Sequence, residues 1–298
     1  MMGHTHGSAA SEHRGRLAGV FVLTLIVFIV QLVGGLATNS LALLADAGHN
    51  FTDVAGIGLA LLAISFAARP ATQGRTFGFL RLEILAAVIN AVLLFGVAAY
   101  VLVEAWRRWA APPEVTSGPM LVIALLGLGA NAVGLFVLRN AQRDSLNMRG
   151  AYLEVLGDLA GSVAVIVAAL AIIVTGWQQA DALASAFIGL LILPRTWRLL
   201  REAVDILLEA TPKGVDLDQV RAHILEARGV ADVHDLHAWT ITSGMNVVSA
   251  HVVLTEDADP PGVLDELCRC LSGDFDIEHS TFQLETADRR RLEERMHA

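Results

Sequence analysis

Leu41-Ala-Leu-Leu-Ala-Asp46-Ala-Gly-His49-Asn-Phe-Thr-Asp53-Val-Ala-Gly-Ile-Gly-Leu-Ala-Leu-Leu-Ala-Ile-Ser-Phe-Ala67 is long and apolar enough to cross a bilayer, yet it carries His49 and Asp53 four residues apart. About a hundred residues later Glu154-Val-Leu-Gly-Asp158 repeats the spacing inside another apolar run, Leu153 to Thr175. Residues at i and i+4 share a helix face with β-carbons roughly 5–6 Å apart, so two such helices side by side offer four ligands to one ion. Ionisable groups at membrane depth are costly and mark function.

With 54% hydrophobic and 17% charged residues, a chain of 298 residues is too apolar for an ordinary soluble protein. Further apolar stretches lie near Leu17 to Ala37, Leu82 to Val103, Pro119 to Leu138 and Ala180 to Leu193, which makes six expected spans of a bilayer core about 30 Å thick. Pro194 and Arg195 interrupt the last, but its apolar pattern continues to Leu208, so it is expected to run on as a helix into the cytosol. Small residues (Ala45, Ala47, Gly48, Gly56 and Gly58 in the second span, Gly157, Ala160 and Gly161 in the fifth) are expected to let helix backbones approach closely.

Arginines sort the connections by side. Arg14 and Arg16 precede the first span, Arg69, Arg75 and Arg81 follow the second, Arg139, Arg143 and Arg149 follow the fourth, and Arg195, Arg198 and Arg201 close the sixth. The opposite connections carry chiefly Arg107 and Arg108. By the positive-inside rule both termini are cytosolic. Met1 to His13 lacks signal-peptide order, so the first span is read as retained. Residues 1–16 are expected as a flexible cytosolic segment, 17–209 as a transmembrane transport domain and 210–298 as a cytosolic domain. The net charge of −9 comes from acid after Leu207 and implies neither a basic partner nor nucleic acid. Lys213 is the sole lysine, which fits a GC-rich bacterial genome and hence the inner membrane.

Beyond Thr211-Pro212 the pattern becomes that of a small soluble domain. Asp216 to Ala227 has helical spacing, Val233 to Ile241 and Val247 to Leu254 alternate as strands around a Ser243-Gly244 turn, Pro261 to Leu271 is helical and His279 to Leu284 alternates again. That order suits a two-layer α+β (ferredoxin-like) domain with helices on one face of a small sheet. Cys268 and Cys270, two apart on an expected helix, point away from each other and read as reduced thiols.

His49, Asp53, Glu154 and Asp158 form a set of nitrogen and oxygen donors suited to tetrahedral Zn²⁺, and its carboxylates also tolerate harder ions such as Mn²⁺. The plainer reading, hydrogen bonds that pair helices, leaves the acid at both second positions unexplained. Protons and metal compete for these atoms, so exchange of metal for H⁺ follows. Asp46 reads as a helix cap or as support behind the ligands. Gln31, Asn90 and Asn131 read as interhelical hydrogen bonds, and Glu83 and Glu104 as partners of nearby arginines. No His-Glu-x-x-His pattern supports the rival reading as an intramembrane metallohydrolase, and no Gly-x-x-x-x-Gly-Lys loop supports a primary pump. A proton-coupled carrier of organic cations would want an aromatic cavity, whereas the chain is 6% aromatic. No enzyme chemistry and no catalytic cofactor are expected.

Leu43-Leu-Ala-Asp-Ala-Gly-His49 through Asp53, Phe77-Gly-Phe-Leu-Arg-Leu-Glu83 and Asn147-Met-Arg-Gly-Ala-Tyr-Leu-Glu154 through Asp158, Gly161 and Ser162 recur together with Val233-His-Asp-Leu-His-Ala-Trp239, Ser249-Ala-His251 and Thr281-Phe-Gln-Leu-Glu285. In these pieces, over nearly its whole length, the chain resembles the cation diffusion facilitator family, in its zinc, cobalt and cadmium efflux branch. The resemblance implies a homodimer of six-helix subunits that alternate between inward and outward states and export Zn²⁺ from the cytosol against H⁺. It carries the transport ligands onto His49, Asp53, Glu154 and Asp158. Zinc-selective members usually have histidine where Glu154 stands, so Co²⁺, Cd²⁺ or Mn²⁺ enter as substrates. It also implies a cytosolic metal site at His234, His251 and Glu285 that steadies the dimer, with His237, His279 and Asp235 as alternatives and His4 and His6 as donors from a neighbouring subunit. The Arg69 to Arg81 connection, without His or Asp, is expected to lack the extra site of some relatives. Arg81 is expected to pair with Asp205 or Glu209.

Overall fold

The computed structural model describes residues 14–67, 69–141, 146–277 and 279–290. Met1 to His13, with His4 and His6, and His297 lie outside the described residues, as does the side chain of Glu154, whose backbone is helical. The chain divides into two compact units, Met1–Leu62 with Ala86–Leu200, and Ala63–Leu85 with Arg201–Ala298.

Long apolar helices make up the first unit: α1 (Arg14–Thr38), α2 (Leu41–Ala67), α3 (Leu82–Ala110), α4 (Ser117–Ala141), α5 (Leu146–Thr175) and α6 (Gln179–Leu207), of which α2, α3 and α6 run on into the second unit. Among the described residues, four stretches, Leu82–Ala110, Ser117–Phe136, Val155–Thr175 and Gln179–Leu207, are long and apolar enough by themselves to cross a membrane, while the described apolar part of α1, Thr24–Thr38, is shorter. Trp106, Phe136, Val167 and Val174 point outward, a surface that hydrocarbon rather than water would cover. The packed core joins the start of α2 (Ala42, Leu43), the end of α3 (Ala98, Val101), the start of α4 (Met120), the end of α5 (Ala169, Ile172) and the start of α6 (Ala180, Ala184). One end of the bundle is thereby sealed.

α1 stops at Asn39, whose φ of 57° is the left-handed C-terminal turn, with Ser40 N–H bonded back to the Gly35 carbonyl at 3.0 Å. α6 passes through Pro194 without a break, as the continuing apolar pattern implied. Pro194 removes one backbone donor from the ladder there. The tightest of the expected approaches are toward α3, while Gly161 of α5 faces Asp46 of α2, where a β-carbon would meet its carboxylate at 3.6 Å. A β-carbon on Gly48 would meet Val97 at 2.7 Å and one on Gly56 would meet Asn90 at 2.9 Å, whereas Gly58 and Gly157 face open space.

In the second unit, α7 (Leu217–Glu226), β1 (Val230–Thr242), β2 (Met245–Leu254), α8 (Pro260–Asp274) and β3 (His279–Glu285) follow in the expected order. The strands lie in the order β1-β2-β3, β1 antiparallel and β3 parallel to β2. Val220 and Ile224 of α7 and Val263, Leu267 and Leu271 of α8 pack on Val233, Val248, Ala250 and Val252. The alternation of β2 therefore sends Ser249 and His251 to the other, helix-free face. Asp216 caps α7, accepting from the Asp218 and Gln219 amides. Cys268 and Cys270 are free thiols, and burial pushes the Cys270 thiol above its ordinary value.

Candidate metal centre

α2 and α5 bring the two tetrads together. His49 Nε2 lies 2.8 Å from Asp158 Oδ1 and 3.6 Å from Asp53 Oδ2. One ligand atom from each of these residues falls within a 4.8 Å cluster. That spacing fits donors about 2.0–2.2 Å from a shared ion. His49 is buried, and its other ring nitrogen, Nδ1, has no partner among the described residues, so the imidazole is held from its carboxylate side. The cluster borders a cavity of about 500 Å³ whose lining includes Asp46, His49, Gly157 and Asp158 with Arg195 and Arg198.

Of the two roles considered for Asp46, the cap belongs elsewhere. Asp46 sits beyond the first turn of α2, where Gln31 of α1 donates to it at 2.5 Å, and Asn50 donates to the Gln31 carbonyl oxygen at 2.5 Å. It is therefore a buried carboxylate fixed beside the cluster by amides from α1 and α2. The α2 N-terminus is capped by Asp181 of α6, which accepts from the Leu41 and Ala42 amides at 2.8 and 3.2 Å and from the Ser40 hydroxyl at 2.6 Å. Sequence reading missed this pair; the signal was Ser40 directly before an apolar helical run. Asn131 does make an interhelical bond, to Ser162. Asn90 makes none among the described residues: its buried Oδ1 has no partner there, and the residue packs against Gly56.

In the second unit His234 and His251 are cross-strand partners on β1 and β2. Glu285 of β3 is placed between them, with Oε2 3.2 Å from His234 Nε2 and Oε1 3.0 Å from His251 Nδ1. The Glu285 side chain is 1% exposed, and Gln283 also donates to it at 2.5 Å. A buried carboxylate between two imidazoles is a donor set that fits a borderline divalent ion. Of the alternatives, His279 packs edge-on against Phe77, while His237 bonds Asp235 at 3.0 Å. That bond, with the nearby His251 and His234, holds the Asp235 carboxyl below the usual carboxylate range.

Arg81 pairs with Glu209 at 2.7 Å, and Asp205 faces Arg201 at 4.0 Å instead. Glu104 pairs with Arg108 at 3.2 Å as expected. Among the described residues Glu83 pairs with no arginine; it accepts from the Thr242 and Ser243 hydroxyls of the β1–β2 turn at 2.5 and 2.8 Å.

Residues 17–208 match the family model of the cation efflux transmembrane domain, and residues 212–287 match that of the cation efflux protein cytoplasmic domain. The chain belongs to the cation efflux family. This cation efflux protein is thus a multi-pass membrane transporter of metal cations, not an enzyme. Among curated relatives, it is 46% identical to the metal cation efflux system protein CzcD of Cupriavidus metallidurans, over 96% of this chain and 90% of the relative. It is 40% identical to the zinc transporter ZitB of Escherichia coli K12, over 95% and 93%. It is 38% identical to the cadmium, cobalt and zinc/H(+)-K(+) antiporter of Bacillus velezensis, over 96% and 93%.

Proposed function

We propose that this cation efflux protein exports Zn²⁺, with Co²⁺, Cd²⁺ or Mn²⁺ as further substrates, from the cytosol in exchange for H⁺. His49, Asp53, Glu154 and Asp158 are the transport ligands, on a domain of six spans, and the ion they hold is cargo rather than a catalyst. The observation that carries this reading is the approach of His49 to Asp53 and Asp158 from two helices, with His49 and Asp158 lining one cavity. Glu154 lies one turn before Asp158 on α5 and adds a third carboxylate by helical spacing. The relatives named for zinc, cadmium and cobalt support the choice of ions.

Exchange follows from the charge balance. Three carboxylates around a divalent ion leave the cluster near −1; once the ion departs, the same oxygens and the imidazole take up protons instead of standing ionised and unpaired in a low dielectric. The end of the bundle at the α2 N-terminus is packed shut, and the cavity is lined at its other side by Arg195 and Arg198, which the positive-inside rule assigns to the cytosol. This is an inward-facing arrangement in a bacterial inner membrane with both termini cytosolic. Residues 17–209 form the transport domain and 210–298 a cytosolic domain through which two subunits pair, with a metal at His234, His251 and Glu285 as a structural or regulatory ligand.

The test is uptake of Zn²⁺, Co²⁺, Cd²⁺ and Mn²⁺ into proteoliposomes with and without a pH gradient, wild type against Asp158→Ala. Gradient-driven uptake lost in the variant is expected. Uptake indifferent to the gradient would remove proton exchange, and uptake unchanged in Asp158→Ala would remove the ligand assignment.

A further inference from the structure

An arginine in the wall of a cation cavity needs a reason. Arg195 follows Gln179, the first residue of α6, by four and a half turns, about 24 Å along the helix and short of the roughly 30 Å hydrocarbon core. A charged side chain at such depth turns to a water-filled cavity or to a partner. Arg195 lines the same cavity as Asp46, His49 and Asp158, and its charge is felt at the His49 ring. The plainer reading, an arginine that reaches back to the cytosolic interface, suits Arg201, whose side chain is 73% exposed. It leaves the place of Arg195 in the cavity wall unexplained.

Helix register gives the reason. α5 ends at Thr175 and α6 begins at Gln179, and so short a connection makes the two helices antiparallel. Their facing level is marked where a β-carbon on Gly161 would meet Ile188 at 3.8 Å. Two turns from Gly161 toward the start of α5 stands Glu154, and two turns from Ile188 toward the end of α6 stands Arg195. Two turns return a helix to nearly the same face. Ile188, Leu191, Ile192 and Arg195 accordingly line the cavity together, and the backbone of Arg195 lies at about the level of Glu154, one turn from Asp158.

We infer that Arg195 is the resident cation of the transport site: its guanidinium balances the ligand carboxylates while no metal is bound, and an entering metal displaces it. The inference rests on the reading of His49, Asp53, Glu154 and Asp158 as transport ligands. Arginine does not give up its proton, so this charge is present at every stage of the cycle. The three ligand carboxylates and one guanidinium leave a charge of −2, which a divalent ion covers in full. A monovalent ion leaves one negative charge uncovered in a low dielectric, so Arg195 helps set the charge of the ion that is accepted. Held beside the bound metal, the same guanidinium repels it, which weakens binding and speeds release. Arg195 thus trades affinity for turnover.

The experiment measures initial rates of Zn²⁺ uptake by the full-length protein in proteoliposomes, resolved into KM and kcat, for wild type, Arg195→Gln, Arg195→Met, Arg195→Lys, Arg198→Gln and Asp158→Ala. A unit charge within two helical turns of a divalent ion changes its affinity by roughly tenfold or more at an effective dielectric near 20. Both neutral variants, Arg195→Gln and Arg195→Met, should therefore lower KM about tenfold and lower kcat with it, the split expected when a repulsion in the bound state is removed. Arg195→Lys keeps the charge and should stay close to wild type in both constants, and Arg198→Gln, one turn nearer the cytosol, should move KM less. A purely structural role for Arg195 would lower kcat without tightening binding. An unchanged or raised KM in the neutral variants, with Asp158→Ala inactive, overturns the resident cation and leaves the transport ligands standing. An equal fall of KM in Arg198→Gln overturns the assignment to Arg195, and full uptake by Asp158→Ala removes the transport-site reading and the inference with it.

Discussion

Replacing Asp181 by alanine should destabilise the bundle without touching the ion cluster. Its carboxylate accepts from the Leu41 and Ala42 amides and from the Ser40 hydroxyl, and both amide-bearing residues are fully buried. These amides open α2 and have no partner within the helix. Water does not reach them, so in Asp181→Ala both are orphaned, at about 1–3 kcal/mol each. Ser40 still accepts from the Leu43 amide, and its hydroxyl, which loses Asp181 as acceptor, can turn to another direction, so it adds less than either amide; Arg108 keeps Glu104 and the Asn39 carbonyl. The sum is about 4 kcal/mol, which lowers the unfolding midpoint by roughly 8–16 °C for a domain of this size. Asp181→Asn keeps one acceptor oxygen and should show about half the shift. The assay is thermal unfolding of the purified protein in detergent, with Zn²⁺ uptake measured well below the midpoint. His49 is eight residues further along α2, about 12 Å away, so uptake per folded protein should be unchanged. A midpoint for Asp181→Ala within about 2 °C of wild type would refute the capping assignment.

Asp158→Asn removes the closest acceptor of His49 and should cut Zn²⁺ uptake more than about 100-fold, while Asp46→Asn, which disturbs only the Gln31 and Asn50 support, should cost about 10–100-fold; equal losses in initial-rate vesicle assays would contradict this ranking. Glu154→His makes the donor set softer, so competition assays should show the Zn²⁺ over Mn²⁺ preference rising, and an unchanged ratio would place Glu154 outside the ligand set. Glu83→Ala releases the Thr242 and Ser243 hydroxyls at about 1 kcal/mol, and amide exchange of the β1–β2 turn should quicken about fivefold; protection equal to wild type would show that the clasp contributes nothing.

What could be read from the chain was whatever local geometry determines. An i, i+4 pair shares a helix face in any helix, so His49 with Asp53 and Glu154 with Asp158 were legible before any packing was known. Period-2 alternation and a Ser-Gly turn were enough for β1, β2 and β3, and an apolar pattern that resumes after Pro194 was enough for an unbroken α6. Arg81 with Glu209 was legible because opposite charges stand at two helix ends that arginine sorting puts on one side.

Contacts across the chain followed a different logic. Asp181 caps a helix that begins about 140 residues earlier, and Glu83 finds hydroxyls 159 and 160 residues away. Neither leaves a periodic mark, because one carboxylate looks the same beside an arginine, an amide or a hydroxyl. Whether Gly48 and Gly56 open α2 toward α5 or toward α3 depends on which side chain, Val97 or Asn90, fills the space, and only packing settles that. The bulge at Asp235 belongs to the same class, since a single residue absorbed into β1 turns His237 onto the face of His234. Which residues are metal-competent, and how they are spaced along each helix and strand, was therefore legible in the order of amino acids, since bond geometry sets those distances. Which of them meet emerged from the folded chain, because helices and strands pack at separations that local spacing does not encode.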